Sequence, residues 1–484
     1  MKMYTLQKEW QSSMKQEFDI EFQEEIPKYI QIANHIRRMI ESKVVEDGEK
    51  LPTIRDYTEF LGVNKITIIN AYKKLTADGF AYQKVGSGTY AKRKEVVSKF
   101  RKEYSNTFKK LVDKNKKDII DFAGETTEEI IFPIDEFKSI INKVLDRDGA
   151  EALISQNALG YDKLRTTVNR VFWDNTLDSD DILIVSGAQQ GIDIASKAIV
   201  NINDNVIVEK PTYGGALSVF KWRRANVFEV EMQEDGINIE KFEEILSKNR
   251  ISCFFTMSYF QNPTGVSYSL EKKKKIIELA EKYDFYIIED DYLSELIYDE
   301  EVDYIPFKWL DKSDRVIYIK SFSKIFLPGI RIGYMVAPKV FNESMRNSKF
   351  NTDIATSSLM QRSLEMYIDE GKWKENINAL NREYKERYKL MSSLIDEYLK
   401  DKVTYSKPGG GLTFYLKLND DLVSSRKLFL RLRKKGVYIT PGVLFFRDMN
   451  EGDKTFRIGF SQTNTDKIRK GLEIIKEELD SWHI

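Results

Sequence analysis

Long apolar runs are missing from this 484-residue chain. No stretch of about 18 apolar residues exists that could span a bilayer. The polar start Met1-Lys2-Met3-Tyr4 lacks the apolar segment of a secretion signal, so a cytoplasmic protein without membrane attachment is expected. Cysteine occurs once, at Cys253, which excludes an intramolecular disulfide, and two histidines, His35 and His483, give no basis for a Cys/His metal site. Cys253 lies in Ile251-Ser252-Cys253-Phe254-Phe255, a pattern expected of a buried strand. Net charge is absent too, with 76 Lys/Arg against 76 Asp/Glu. The length exceeds what one core can organise and suggests roughly three domains of about 150 residues. The apolar content, 42%, is ordinary for a soluble protein.

The zero net charge hides a separation along the chain. Residues 27–90 carry ten Lys/Arg against seven Asp/Glu, a net +3, and residues 91–117 carry eleven against three, a net +8. Residues 1–26 carry three against six, leaving a net of minus 8 for residues 118–484. A polyanion would be drawn to residues 27–117, as expected of a DNA-binding segment, although the charge taken alone favours a solvated charged linker.

More than charge marks the front. Tyr29, Ile32, Ala33, Ile36 and Ile40 recur at helical spacing, predicting an amphipathic helix over 28–42. After Gly48 and Pro52, a second helix is expected over 53–61, stopped by Gly62, and a third over 65–77, capped by Asn64 with Ile68, Ala71, Tyr72 and Leu75 inward. The third would expose Asn64, Lys65 and Thr67 where a recognition helix meets DNA. Asp78-Gly79 then turns into a hairpin of residues 80–84 and 89–91 around Gly86-Ser87-Gly88, a wing.

These segments, Ile26-Pro27-Lys28-Tyr29, Leu51-Pro52-Thr53-Ile54-Arg55, Val63-Asn64-Lys65-Ile66-Thr67, Ala71-Tyr72 and Gly86-Ser87-Gly88-Thr89, resemble the winged helix-turn-helix of the GntR family. The resemblance implies that Arg55, Asn64, Lys65, Thr67 and Gly88 contact double-stranded DNA. Asn64-Lys65 stands where Ser-Arg is common, so the operator sequence does not carry over. The expected organisation is an N-terminal extension (1–26), a winged helix (27–91), a basic linker (92–117) and a second domain (118–484).

From Ile119 onward buried strand patterns alternate with amphipathic helices, predicting an α/β domain with a mostly parallel sheet. Strands are expected at 182–185, 205–208, 253–257, 285–288 and 316–319. Ligands in such sheets bind beyond the carboxyl ends of the strands. The loops expected there are Ser186-Gly187-Ala188-Gln189, where a helix start can cradle a phosphate, and Pro211-Thr212-Tyr213, which offers a ring to stack or simply a core residue. Then come Gln261-Asn262-Pro263-Thr264-Gly265, with an amide donor, and Glu289-Asp290-Asp291-Tyr292, with a carboxylate able to keep a pyridine nitrogen protonated. The last holds Ser321, Ser323, Lys324 and Arg331, combining a Schiff-base amine with phosphate donors. Together they give each group of pyridoxal 5'-phosphate a partner. The competing Ser-x-x-Lys nucleophile reading of Ser321-Phe322-Ser323-Lys324 lacks its companions, since no Ser-Asp-Asn or Lys-Thr-Gly occurs.

Motif order and spacing over Ile119 to the end resemble the fold-type I aminotransferases, with a smaller C-terminal α+β subdomain over residues 375–484. The resemblance implies a Schiff base at Lys324, Asp290 on the pyridine nitrogen, and Tyr292 and Asn262 on the ring oxygen. It further implies Tyr213 on the ring face, and Gly187, Ala188, Gln189, Ser321, Ser323 and Arg331 on the phosphate. Arg457, within Phe456-Arg457-Ile458-Gly459-Phe460, would bind a substrate carboxylate. The loop that often lends a tyrosine to the partner's phosphate in related enzymes reads Ser155-Gln156-Asn157 here. A winged helix joined to such a domain resembles the MocR subfamily of GntR regulators, implying a dimeric, pyridoxal phosphate-binding transcriptional regulator that senses an amino compound or the cofactor itself. A working aminotransferase with an accessory DNA-binding domain is the alternative, and a DNA-binding scaffold with an inert second domain is a third.

Overall fold

In the computed structural model, which describes residues 18–20, 22, 26–41, 44–46, 48–84, 86–92, 100–107, 119–154, 158–299, 302–353, 355–420 and 422–483, the first apolar repeat becomes helix α1 (Lys28–Glu41). Its Ile32, Ala33, Ile36 and Ile40 are buried. Helix α2 (Ile54–Leu61) starts where the Thr53 hydroxyl accepts the Asp56 N–H and ends at Gly62, whose φ of 61° is left-handed. Helix α3 (Lys65–Ala77) starts at Asn64, whose Oδ1 accepts the Ile66 N–H at 2.9 Å. Ile68, Ala71, Tyr72 and Leu75 face the same core as α1, the Ile68 and Leu75 side chains each contributing about 1.5–3 kcal/mol when fully buried. The Tyr72 hydroxyl donates to the Pro52 carbonyl at 2.7 Å, fixing α3 against the loop ahead of α2. Strands β1 (Ala81–Lys84) and β2 (Gly88–Ala91) form the antiparallel wing. Within the expected linker, residues 100–107 are helical, while 93–99 and 108–117 lie outside the described residues, as does Ser155-Gln156-Asn157.

The chain divides into two compact units, Met1–Lys116 and Lys117–Ile484. The second unit begins with β3 (Ile120–Asp121) and is built on β4 (Ile182–Val185), β5 (Asn205–Lys210), β6 (Asn226–Gln233), β7 (Gly236–Ile237), β8 (Cys253–Thr256), β9 (Tyr286–Asp291), β10 (Val316–Ser321) and β11 (Gly333–Val336). These eight strands lie in the order β4-β11-β10-β9-β8-β5-β6-β7. β10, β9, β8, β5 and β6 run parallel, whereas β11 is antiparallel to both neighbours and β7 to β6. All four side chains of β4 and of β8 are buried, Cys253 included, as both faces of a parallel sheet require. Three helices matter for the site: α4 (Ala188–Ile199) after β4, α5 (Gly214–Trp222) after β5, and the long α6 (Lys372–Tyr398). Beyond α6, β12 (Val403–Thr404), β13 (Thr413–Leu418), β15 (Thr440–Pro441) and β16 (Thr455–Gly459) form a second sheet in the order β12-β13-β16-β15. β14 (Val437–Tyr438) pairs in parallel with β3.

Two expected loops are strand instead. Glu289, Asp290 and Asp291 continue β9, and Lys320 and Ser321 continue β10, with Asp290 opposite Ile319 and Asp291 opposite Lys320. Two of these charges, Asp291 and Lys320, are compensated inside the protein. The Lys320 Nζ lies 2.8 Å from Glu295 and 3.4 Å from Asp291, and Asp291 also accepts the Tyr304 and Tyr318 hydroxyls at 2.6 Å. Among the described residues no helix is long and apolar enough to cross a membrane.

Candidate functional site

The parallel strands deliver their carboxyl ends to one edge of the sheet, and the antiparallel β11 starts at that same edge. Gly333 therefore pairs with both Ser321 and Val185, bringing the β4 and β10 exits beside each other. Arg331, two residues before β11, adopts φ of 50° and sends its guanidinium across this junction. It donates to the Ser186 carbonyl at 2.8 Å and approaches the Ser323 hydroxyl at 3.5 Å. Gly187 has φ of 95°, and a Cβ there would meet the Arg331 Nη2 at 2.9 Å, so glycine serves both the backbone turn and the close approach. Gly187 precedes α4, whose first turn, Ala188 and Gln189, directs N–H groups outward. Ser321 and Ser323 are buried beside it. The six residues assigned to a phosphate thus converge.

Next along the edge, Tyr213 precedes α5 and its hydroxyl donates to the Gln189 Oε1 at 3.0 Å. Burial, then the nearby Asp290 and Glu125 carboxylates, push this phenol up to about 12. Asp290 is buried on β9, and its Oδ1 has no hydrogen-bond partner. Burial, reinforced by the charges of Asp291 and Glu209, raises the Asp290 carboxyl to about 8, although Lys320 and Lys324 pull the other way. Tyr292 is buried, and its hydroxyl donates to the Phe260 carbonyl at 3.0 Å.

Arg457 reaches the cluster from β16 and is 5% exposed. Its Nη1 donates to the Asn262 Oδ1 at 2.6 Å and to the Glu125 carboxylate. Its Nη2 approaches the Ala123 carbonyl at 3.2 Å and the Thr440 hydroxyl at 3.4 Å. Glu125 also accepts from the Asn262 Nδ2 at 3.1 Å and from the Lys324 Nζ at 3.2 Å. The Lys324 side chain keeps 31% of its surface exposed, whereas that of Lys320, four residues earlier, keeps 3%. Burial opposes ionisation of Glu125, but Arg457 and Lys324 outweigh it and hold the carboxyl below its usual range. Glu125 is the site residue that sequence reasoning missed. Its partners lie 137, 199 and 332 residues away in the chain, and no local motif marks it.

In the first unit, the Arg55 side chain is 86% exposed and pairs at 3.2 Å with Glu59, while Asn64 and Lys65 are exposed and Thr67 is half-buried at the start of α3. Gly88 is exposed with φ of 126°, and a Cβ there would meet the Lys50 Cε at 3.0 Å. Lys50, bridged to Tyr90, and Lys84, 4.9 Å above the Tyr90 ring, place two further cations at the wing that the motif comparison did not select.

A lysine, an unpaired buried carboxylate at the sheet edge and a serine-arginine cradle at a helix start define the class: a fold-type I aminotransferase-like domain. Residues 131–475 match the aminotransferase class I and II family, and residues 28–91 match the gntR family of bacterial regulatory proteins. The chain is 32% identical to aromatic-amino-acid aminotransferase 1 of Thermococcus litoralis, over 75% of this chain and 89% of that protein. It is 28% identical to the uncharacterized HTH-type transcriptional regulator YcxD of Bacillus subtilis, over 93% of this chain and 100% of that one. The crystal structure of Pyrococcus horikoshii kynurenine aminotransferase in complex with PMP superposes with a TM-score of 0.72 at 31% identity, covering 78% of this chain and 94% of that one. The chain belongs to the class I and II aminotransferase family and joins that domain to a GntR-type helix-turn-helix, the combination of the MocR subfamily. Pyridoxal 5'-phosphate is the cofactor of this aminotransferase family. The residues present fit it: the orphaned Asp290 Oδ1 suits a protonated ring nitrogen, and the Gly187, Ser321, Ser323 and Arg331 cradle suits a phosphate.

Proposed function

We propose that this protein is a transcriptional regulator that binds pyridoxal phosphate at Lys324 and reads an amino compound through it. The observation that carries the reading is Asp290, a carboxylate with one oxygen buried and unpaired at the sheet edge where the other site residues meet. When bound, the cofactor supplies an electrophilic carbonyl for primary amines and a ring that accepts electrons. Lys324 would supply the amine that meets that carbonyl, in competition with an incoming primary amine. Asp290 holds the proton at the ring nitrogen, Tyr213 covers the ring, and Asn262 and Tyr292 donate to its oxygen. Gly187, Ala188, Gln189, Ser321, Ser323 and Arg331 hold the phosphate. In the first unit, Arg55, Asn64, Lys65, Thr67 and Gly88 face the operator, and the working species is a homodimer.

The test uses the full chain and DNA from its own upstream region. Borohydride reduction should fix the cofactor to the peptide containing Lys324, and an amine that alters the spectrum should alter DNA binding. Lys324→Ala should keep DNA binding and lose the response; a response that survives in Lys324→Ala overturns the proposal. The intact pair Asn262 and Arg457 favours a second reading, a working aminotransferase. Steady formation of keto acid with 2-oxoglutarate at ordinary enzyme rates would support it.

A further inference from the structure

Arg457, the group placed to receive a ligand carboxylate, already holds one from its own chain. A guanidinium grips a carboxylate best through two parallel N–H groups. Here Nη1 serves Glu125 and Asn262, and Nη2 is directed at the Ala123 carbonyl and the Thr440 hydroxyl. The remaining donor, Nε, is buried without a partner and by itself offers a single N–H. A ligand carboxylate would therefore have to expel Glu125 or settle beside it, charge against charge. Expulsion is costly because Glu125 and Arg457 are 9% and 5% exposed, and separating a buried pair leaves each charge uncompensated. The opposite side of Glu125 faces the Lys324 amine at 3.2 Å, so its carboxylate sits between the reacting amine and the guanidinium.

We propose that Glu125 is a built-in substitute for a ligand carboxylate, and that the site consequently selects primary amines carrying no carboxylate on the amine-bearing carbon. This rests on the reading of Lys324 as the amine-exchanging residue and adds the ligand class. An amine of this kind meets a pocket whose guanidinium is already neutralised, and it needs no anionic group of its own.

Three probes sharing one side chain separate the contributions: L-phenylalanine has amine and carboxylate, 2-phenylethylamine the amine alone, 3-phenylpropionate the carboxylate alone. In the first arm, calorimetry on the cofactor-free full chain should show 3-phenylpropionate binding at least about tenfold tighter to Glu125→Gln and Glu125→Ala than to the parent, a gain abolished by adding Arg457→Gln. Glu125→Gln preserves size and packing, so the comparison survives if the alanine variant folds poorly. In the second arm, the loaded parent should change its absorption spectrum at lower 2-phenylethylamine than L-phenylalanine, and Glu125→Gln should narrow or invert that order. Equal carboxylate binding by parent and variants, or no gain in either variant, overturns the proposal. A gain in the first arm with no spectrum at all in the second upholds the role of Glu125 and overturns the cofactor reading instead.

Discussion

A Cβ placed on Gly187 would come within 2.9 Å of the Arg331 Nη2, so the turn leading into α4 and the guanidinium from the start of β11 fit each other only while residue 187 has no side chain. At φ of 95° any other residue is strained as well. Gly187→Ala should leave the protein folded but weaken pyridoxal phosphate by roughly tenfold or more, each tenfold being about 1.4 kcal/mol. Cofactor titration followed by quenching of intrinsic fluorescence measures this, and an unchanged Kd would show that the two groups do not share a phosphate.

Lys320 and Lys324 should respond oppositely to removal. Lys320 is buried against Asp291 and Glu295, so Lys320→Met strands two carboxylates and should cost about 3–5 kcal/mol, seen as a lower urea midpoint. Lys324→Met removes one end of a half-exposed contact to Glu125, which keeps Arg457, and should shift that midpoint little while abolishing covalent capture of the cofactor.

Asp290 makes the cofactor-free protein sensitive to alkali. Its carboxyl is raised from 3.8 to about 8 on folding, so across that interval the folded chain keeps a proton that the unfolded chain releases. The contribution of Asp290 to stability therefore falls as pH rises from about 4 to about 8. Glu209, raised by burial to about 7, adds to the same slope. Relative to Asp290→Asn, the parent should lose stability between about pH 5 and about pH 8 in urea titrations, and saturating cofactor should reduce that difference in slope. A slope unaffected by either would contradict the assignment of Asp290.

On the DNA side, Arg55→Ala removes a largely exposed cation whose pairing with Glu59 adds little to stability. Folding should be unaffected, operator affinity should fall, and the slope of log affinity against log salt should drop by about 1. Fluorescence anisotropy at several salt concentrations checks it; an unchanged slope places Arg55 off the phosphates.

The helices of the first unit were legible because their signals are local: Asn64 caps one and Gly62 stops another, while Thr53, expected as the first helical residue, is the cap of a helix that begins at Ile54. The order of site loops was legible because parallel strands must end at one edge. What stayed hidden was how charge is neutralised. Asp291 read as loop because its countercharge, Lys320, comes from a neighbouring strand, and Glu289 because its partners, the Ser258 hydroxyl and the Phe307 and Lys308 N–H groups, lie elsewhere in the chain. Glu125 was invisible for the same reason at longer range, since only the folded chain brings it to Lys324, Asn262 and Arg457.

The hairpin joining β10 to β11 acts as a ruler with both ends nailed to the sheet, since Ser321 is registered opposite Gly333. Lys324 and Arg331 are two marks on it. A residue inserted or lost between them would leave the strands paired yet move the amine away from the guanidinium proposed to hold the phosphate. Hairpin length, which can be counted in any related chain without a structure, thus tells whether that chain can hold its lysine and arginine at the separation found here.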